Sequence, residues 1–219
     1  MANILAIAEG ITTFRQVEEK LGLTLSTDRA FFTEWIEQSS EELTETEQTR
    51  LDQIRANYLY QISDGILLEE TIRMVVLSPL LELAGFYQSP YKFRAEVSVT
   101  IEALGDQDEI LRGRIDALVL QDRLWIVLIE SKRTTFDLEL ALPQALAYMA
   151  ANPQPEQALY GMVTNGSTYL FVKTLGQQYG VSDLFSTRSA LLSRRESQYR
   201  NTLSEVLKTL IHLGRLITS

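Results

Sequence analysis

The sequence contains no cysteine and a single histidine, His212, among its 219 residues. The absence of cysteine excludes disulfides, zinc–thiolate sites, iron–sulfur clusters and catalysis by a thiol. One histidine near the C-terminus leaves no multi-histidine metal site within the chain, and we assign His212 no catalytic role. A chain without cysteine also fits a reducing compartment, and we expect the protein to be cytoplasmic.

Long apolar runs and excess positive charge are also absent. No segment approaches the ~20 apolar residues of a membrane span, and the N-terminus lacks the basic region of a signal peptide. We therefore expect no membrane association. The net charge is −9, which disfavours general nucleic-acid binding, since phosphate contacts need clustered Lys and Arg. The acids, however, concentrate in residues 34–47, whereas Arg112, Arg114 and Lys132 lie further along the chain.

The hydrophobic pattern predicts an α/β protein with a helical extension over residues 1–62 and a second domain over 63–219. In the extension, capping boxes at Thr13 and Thr44 begin two helices, and Asp28 caps a third. From residue 63 the predicted order is helix, three strands, helix, two strands, helix. The helix after Ser63 or Asp64 is interrupted by Pro79, and Gly85 ends it. The predicted strands span 93–101, 111–120, 124–131, 158–164 and 168–174, and the later helices span 138–151 and 188–216.

The pattern of most functional interest lies on the second and third predicted strands. Asp116 lies on one apolar strand, and Glu130 and Lys132 lie at the end of the next. Because strands alternate faces with period two, Glu130 and Lys132 share a face, and a short hairpin at 121–123 can bring Asp116 beside them. Two carboxylates and one amine then meet at the edge of a sheet. This set suits a hard cation such as magnesium, with a lysine beside the water that is activated.

These residues in this order resemble the PD-(D/E)XK nuclease superfamily, and more closely the N-terminal nuclease domain of the restriction subunit of type I restriction enzymes. The resemblance covers about residues 64–175. It rests on Asp116 with Glu130-x-Lys132, on Gln144-x-x-x-Tyr148 in the following helix, and on an upstream glutamate ahead of Pro79 and Gly85. The Thr164-Asn165-Gly166 turn also matches this group. Ile115 stands where the superfamily motif has proline, and no helicase motor follows.

The resemblance implies a restriction-endonuclease-like core of helix, three strands, helix and strand, flanked here by the N-terminal extension and a C-terminal helix. It implies a Mg²⁺ or Mn²⁺ ion held by Asp116, Glu130 and the Ser131 carbonyl. Glu69 then completes the outer metal shell, although Glu70 is an alternative that the sequence leaves open. Lys132 acts on the attacking water, and Gln144 and Tyr148 order the substrate backbone or that water.

The residues themselves also fit structural roles. Tyr148 also fits a core position, and Gln144 fits a helix surface. Their i, i+4 spacing places both on one face of the helix, which is compatible with either the catalytic or the structural role. Arg112 and Arg114 either contact substrate phosphate or pair with Glu96 on the neighbouring strand.

Two functions from different classes follow from these observations. The first is a metal-dependent endonuclease that hydrolyses phosphodiester bonds of nucleic acid, with DNA as the expected substrate. The alternative is a nuclease-fold binding or regulatory module without turnover, which the net charge of −9 favours. The amphipathic helices outside the core also indicate a possible homodimer, which would bring two sites to one duplex.

Overall fold

The computed structural model describes residues 3–37, 42–65, 67–102, 109–120, 124–128, 138–187 and 196–218. A mixed sheet of nine strands forms its centre, in the order β1-β4-β5-β6-β7-β8-β2, with β3 paired to β4 and β9 to β7. The strands are β1 (Asn3–Ala6), β2 (Thr24–Leu25), β3 (Phe93–Glu102), β4 (Glu109–Leu120), β5 (Leu124–Leu128), β6 (Leu159–Thr164), β7 (Thr168–Leu175), β8 (Gln178–Val181) and β9 (Phe185–Ser186). The predicted α/β class is confirmed.

Helices cover both faces of the sheet and enclose two hydrophobic cores. They are α1 (Ile7–Gly10), α2 (Phe14–Leu21), α3 (Glu45–Ile62), α4 (Glu69–Ile72), a π-helical turn (Arg73–Leu77), α5 (Ser78–Leu83), α6 (Leu138–Ala150) and α7 (Glu196–Thr218). One core joins α1, α2 and α6 to alternate sheet residues such as Leu159 and Val163. The other joins α3, α4, α5 and α7 to the intervening residues, including Tyr160 and Met162. Successive strand residues face opposite sides, so the cores lie on opposite faces. None of the helices within the described ranges is long and apolar enough to cross a membrane.

Strand β4 is the branching point of the sheet. Along one edge it pairs antiparallel with β3 from Ile110 to Leu120. Its other edge is shared: β1 pairs with residues 109–112 and β5 with residues 117–120. Strand β5 then continues to β6 in parallel. Strand β5 therefore lies between β4 and β6.

The prediction of an all-helical N-terminal segment is partly wrong. The capping boxes at Thr13 and Thr44 are both present and begin α2 and α3 as expected. Residues 3–6, however, form β1 beside β4, and residues 24–25 form β2 beside β8. Asp28 accepts a hydrogen bond from the Ala30 amide in a turn and begins no helix. Pairing with a neighbouring strand makes these short segments extended. The local sequence pattern does not show that such a strand edge is available. The domain division at residue 62 stays a prediction.

The helical segment before the core strands starts later than predicted. Ser63 ends α3, and α4 begins at Glu69 with Leu68 at the N-cap position. The interruption expected at Pro79 takes the form of the π-helical turn, in which the Ser78 amide bonds to the Arg73 carbonyl five residues back. Proline lacks an amide hydrogen and its ring clashes with the preceding turn. The wider turn directly ahead of Pro79 accommodates both effects. Gly85 ends the segment with a φ of 79°, as predicted.

The C-terminal third contains two strands that the sequence pattern did not indicate. Strands β6 and β7 form the predicted antiparallel hairpin. Strands β8 and β9 follow, of four and two residues, and both pair with β7. Such short strands carry too few residues for a periodic signal. Helix α7 is described from Glu196, so the first part of the predicted helix at 188–216 lies outside the described residues.

Candidate active site

Strand β4 carries Asp116, Arg112 and Arg114. Leu111 is fully buried and Arg112 is exposed, so these two neighbours face opposite sides of the strand. Asp116 lies between the residues of β4 that pair with β1 and those that pair with β5.

The other residues of the predicted metal site, Glu130, Ser131 and Lys132, lie outside the described residues. The strand that leads to them is described as far as Leu128, and its Val127 pairs with Ala117, the residue next to Asp116. The pairing therefore brings the end of β5 beside Asp116. The shared pocket of Asp116, Glu130 and Lys132 stays a prediction.

Helix α4 resolves which of two adjacent glutamates faces the interior. The Glu69 side chain is 18% exposed, whereas that of Glu70 is 75% exposed. Glu69 Oε1 accepts a hydrogen bond from the Arg73 guanidinium at 3.1 Å, and Glu70 lies 3.9 Å from the same group. Of the two, Glu69 is thus the residue placed to contribute to an interior site. Its role as a metal ligand stays a prediction.

Arg73 is a largely buried partner of Glu69 that sequence reasoning missed. It lies one helical turn after Glu69, and its side chain is only 20% exposed. Its Nε is buried and has no hydrogen-bond partner within the described part of the chain. The i, i+4 spacing of Glu69 and Arg73 was a visible signal. Without burial data it could not be told from an ordinary surface pair.

Gln144 and Tyr148 lie on α6 and are both half-buried. Helix α6 buries Ala141, Ala145 and Leu146 against the sheet, and Tyr148 packs partly against that core. Ile72 of α4 belongs to the core on the opposite face. The sheet therefore separates Glu69 from Gln144 and Tyr148, so these residues can serve one site only where the strands end.

The register of β3 and β4 shows which residues of β3 lie opposite Arg112 and Arg114, for which pairing with Glu96 was the structural alternative to phosphate contact. Thr100 pairs with Arg112 and Ser98 with Arg114, while Glu96 falls at the irregularity between Ala95 and Val97. Glu96 is therefore not the residue directly opposite either arginine. Pairing of either arginine side chain with Glu96, the structural alternative to phosphate contact, stays a prediction.

A second charged cluster lies on the same sheet face as α4, at the opposite end of β6. Lys173 Nζ donates to Glu34 Oε1 at 2.5 Å and to the Phe31 carbonyl at 2.7 Å, and the Tyr160 hydroxyl donates to Glu34 Oε1 at 3.0 Å. Burial alone raises the pKa of Glu34, but hydrogen bonds from Lys173 and Tyr160 outweigh it, so that the pKa is lowered. Sequence reasoning treated Glu34 only as part of an acidic run. The cluster holds the loop after β2 against the sheet.

Across the described ranges, no three His, Cys, Asp or Glu side chains are grouped as a metal site. Two of the predicted ligands, Glu130 and Ser131, fall outside those ranges, as does the Asp116 side chain, so this finding does not test the predicted site.

Comparison with known proteins identifies one family. No curated protein matches the chain. The family model for the N terminus of the type I restriction enzyme R protein matches residues 30–179, which is more than half of the 219 residues. The match indicates a nuclease-like domain of the restriction-enzyme type, and it begins ahead of residue 64, where the motifs first resemble this group. It takes in α3 through β7 and the first two residues of β8, including β4. The chain belongs to the family of the type I restriction enzyme R protein N terminus.

Proposed function

We propose that this protein is a magnesium-dependent endonuclease that hydrolyses phosphodiester bonds of DNA. The observation that carries the proposal is the position of Asp116 on β4, next to the residue that pairs with the end of β5. Glu130 follows two positions after Leu128, the last described residue of that strand. If β5 continues extended over those positions, Glu130 and Lys132 take the face of Leu128. Family membership supports the same reading.

The proposed metal ligands are Asp116, Glu130, the Ser131 carbonyl and, in the outer shell, Glu69. Their donor atoms are all oxygens, which fits a hard cation such as Mg²⁺ or Mn²⁺. Glu69 is mostly buried, and its carboxylate accepts a hydrogen bond from the Arg73 guanidinium. When bound, the ion supplies Lewis-acid stabilisation of the negative charge that develops on the phosphate.

The chain's own residues would orient the reactants. Lys132 would hold the attacking water and stabilise the negative charge that forms as its proton leaves. Gln144 and Tyr148 would order the substrate backbone at the strand ends, the only place where α6 and α4 can meet one substrate. Arg112, which is exposed, and Arg114 would contact flanking phosphates. Such contacts set register and affinity but carry no sequence information.

The net charge of −9 shapes how DNA would approach. Acidic surfaces repel the phosphate backbone, so binding should be confined to the side of the molecule that carries Arg112 and Arg114. Binding should be weak and should fall steeply with salt. A homodimer would place two sites near one duplex and permit cleavage of both strands. Light scattering on the same preparation tests the dimer.

The decisive experiment is plasmid nicking in millimolar Mg²⁺ by the wild type and two lysine variants. Lys132→Ala should lose activity by at least about 100-fold, because a positioned acid–base or charge-stabilising group contributes about 10²–10⁴. Lys208→Ala, on α7 where no proposed site residue lies, should cleave like the wild type. Equal nicking by all three proteins would assign the activity to a contaminant or another site. DNA binding without cleavage by the wild type would instead favour the regulatory alternative.

A metal titration provides a second readout that does not depend on turnover. At an ion concentration ten times the Kd, binding to the folded state alone stabilises it by about 1.4 kcal/mol. The melting temperature of the wild type should therefore rise with Mg²⁺ or Mn²⁺, and that of Asp116→Ala should not. An equal rise in both would place the ion elsewhere.

A further inference from the structure

The turn between β6 and β7 lies at the same end of the sheet as the proposed active site. Thr164, the last residue of β6, pairs in parallel with Leu128, the last described residue of β5. Parallel strands run toward the same sheet edge, so Asn165 follows Thr164 at the edge toward which β5 runs. The turn belongs to the motif that resembles type I restriction enzymes, but the proposed reaction gives it no role.

The turn also packs tightly against the helical segment that carries Glu69. Gly166 has a φ of 84°, and a Cβ built on it would lie 2.5 Å from Ile72 Cγ2. Ile72 belongs to α4, three residues after Glu69. The backbone of the turn therefore lies directly against α4. Asn165 thus lies between two elements that carry proposed site residues, α4 and β5.

The Asn165 amide is locked in one orientation. Its Oδ1 accepts hydrogen bonds from the Ser167 amide at 3.1 Å, the Thr168 amide at 3.0 Å and the Ser167 hydroxyl at 3.2 Å. Three donors on one oxygen fix which end of the carboxamide faces the turn. The Nδ2 group, with two N–H donors, has no hydrogen bond to any residue in the described ranges, and Asn165 is half-buried, so that part of its side chain reaches solvent. The side chain therefore offers donors only.

The rest of the turn holds that donor in place. Thr164 Oγ1 accepts from the Gly166 amide at 3.0 Å and donates to the Thr168 carbonyl at 2.8 Å. The buried Tyr169 hydroxyl donates to the Gly166 carbonyl at 3.0 Å. The Ser167 carbonyl accepts from both the amide and the hydroxyl of Thr187. The Nδ2 donor is therefore preorganised, and a ligand that binds it does not have to order the side chain.

We propose that Asn165 Nδ2 donates a hydrogen bond to a non-bridging oxygen of the substrate phosphodiester, which makes it a substrate-positioning residue. This inference rests on the proposed nuclease function. The phosphodiester is an anion with acceptor atoms only, and a carboxamide nitrogen is a donor only, so the chemistries match. A neutral donor holds the phosphate without competing with the metal for the proposed carboxylate ligands. Contact with the backbone also predicts no base preference at this position.

Asn165→Asp is the substitution that separates substrate binding from folding. An aspartate keeps the acceptor oxygen for the Ser167 and Thr168 amides, and charged acceptors bond backbone amides at least as well. It replaces the outward nitrogen by an anionic oxygen that repels phosphate. Asn152→Asp is the matched control, because Asn152 Oδ1 likewise accepts from the Gln154 amide, at 3.0 Å, in a turn outside the site.

The expected result is a rise in KM for DNA of about 10- to 100-fold in Asn165→Asp, the loss that follows from removing a hydrogen bond to a charged group. The melting temperature, and its shift with Mg²⁺, should stay near wild type. Asn152→Asp should keep the wild-type KM. A KM for Asn165→Asp equal to that of Asn152→Asp, with wild-type cleavage intact, overturns the inference alone. Failure of the wild type to cleave or bind DNA overturns the proposed function, and this inference with it.

Discussion

Lys173→Met should destabilise the protein strongly by leaving a buried carboxylate without its cation. The Lys173 and Glu34 side chains are only 12% and 17% exposed, and they are joined by a hydrogen bond of 2.5 Å. Lys173 Nζ also donates to the Phe31 carbonyl and lies 5.2 Å from the centre of the Phe31 ring. Methionine fills the volume of the lysine stem, so the effect of the change comes mainly from the lost charge and hydrogen bonds.

The size of the effect follows from what remains. Removing one partner of a buried ion pair typically costs about 3–5 kcal/mol. Glu34 Oε2 is already buried without a hydrogen bond in the described structure, so the orphaned carboxylate would keep only the Tyr160 hydroxyl on its other oxygen. Because both side chains are slightly exposed, we expect Lys173→Met to lose about 3 kcal/mol in the free energy of unfolding, the low end of this range. The double variant Lys173→Met, Glu34→Gln should recover part of this, with a coupling energy of about 1–3 kcal/mol.

The pH dependence provides an independent check on this reasoning. The pKa of Glu34 is lowered in the folded protein, so its contribution is fully present above the unfolded pKa of about 4.3 and is lost as the pH falls through the folded value. Without Lys173, burial would instead raise the pKa of Glu34. As the pH falls, protonation of Glu34 would remove the buried unpaired charge and so reduce the destabilisation of Lys173→Met. The stability gap between wild type and Lys173→Met should therefore be widest at pH 7 and should narrow toward pH 4.

Urea denaturation at both pH values measures these free energies of unfolding. Arg50→Met is the matched control, because Arg50 and Glu82 lie 3.3 Å apart but are 52% and 58% exposed. Exposed pairs contribute little, so this variant should lose no more than about 0.5 kcal/mol. If Lys173→Met costs no more than the control, or if its deficit is the same at pH 4 as at pH 7, Glu34 is not held by Lys173 as argued.

Three further outcomes follow from the described contacts. Gly166→Ala should lose more stability than Gly176→Ala in urea denaturation. Both positions require a positive φ, which costs about 1–2 kcal/mol for alanine, but of the two only Gly166 would place a Cβ against another residue, Ile72. Equal losses would show that the turn shifts without cost to accommodate the Cβ. Thr44→Ala should cost about 1 kcal/mol, since its hydroxyl accepts from the third helical amide of α3, and an unchanged midpoint would mean that the cap contributes nothing. Asp116→Ala should keep or slightly raise the melting temperature without metal, because carboxylate repulsion is relieved; a large drop would show that Asp116 is structural.

The sequence could predict elements whose signals are local. Both capping boxes began helices where predicted, at Thr13 and Thr44. The alternation of Val97, Val99 and Ile101 with polar residues indicated a strand, and Asn165-Gly166 indicated a hairpin. Each of these features depends on residues within a few positions of one another, so that neighbours in sequence determine it.

Elements that depend on a distant partner could not be predicted. Residues 3–6 became a strand because one edge of β4 is open to them at residues 109–112, and β8 exists because it can pair with β7. The start of the helix before the core strands was placed at Ser63 or Asp64 because both are good capping residues. The structure begins it at Glu69, where the packing of Ile72 and Val76 into the core decides the helical face.

The same division applies to the candidate site. The sequence by itself determined the residue types available for chemistry: no thiol, one histidine, and the pattern of Asp116 with Glu130-x-Lys132 that predicts a metal site. Only the tertiary structure decided which groups meet. It buried Glu69 rather than Glu70, placed Arg73 against it, set α6 and α4 on opposite faces, and brought Asn165 to the edge beside the end of β5. Strand parity and helix spacing fix directions along one element, whereas distances between elements follow from how their apolar faces pack.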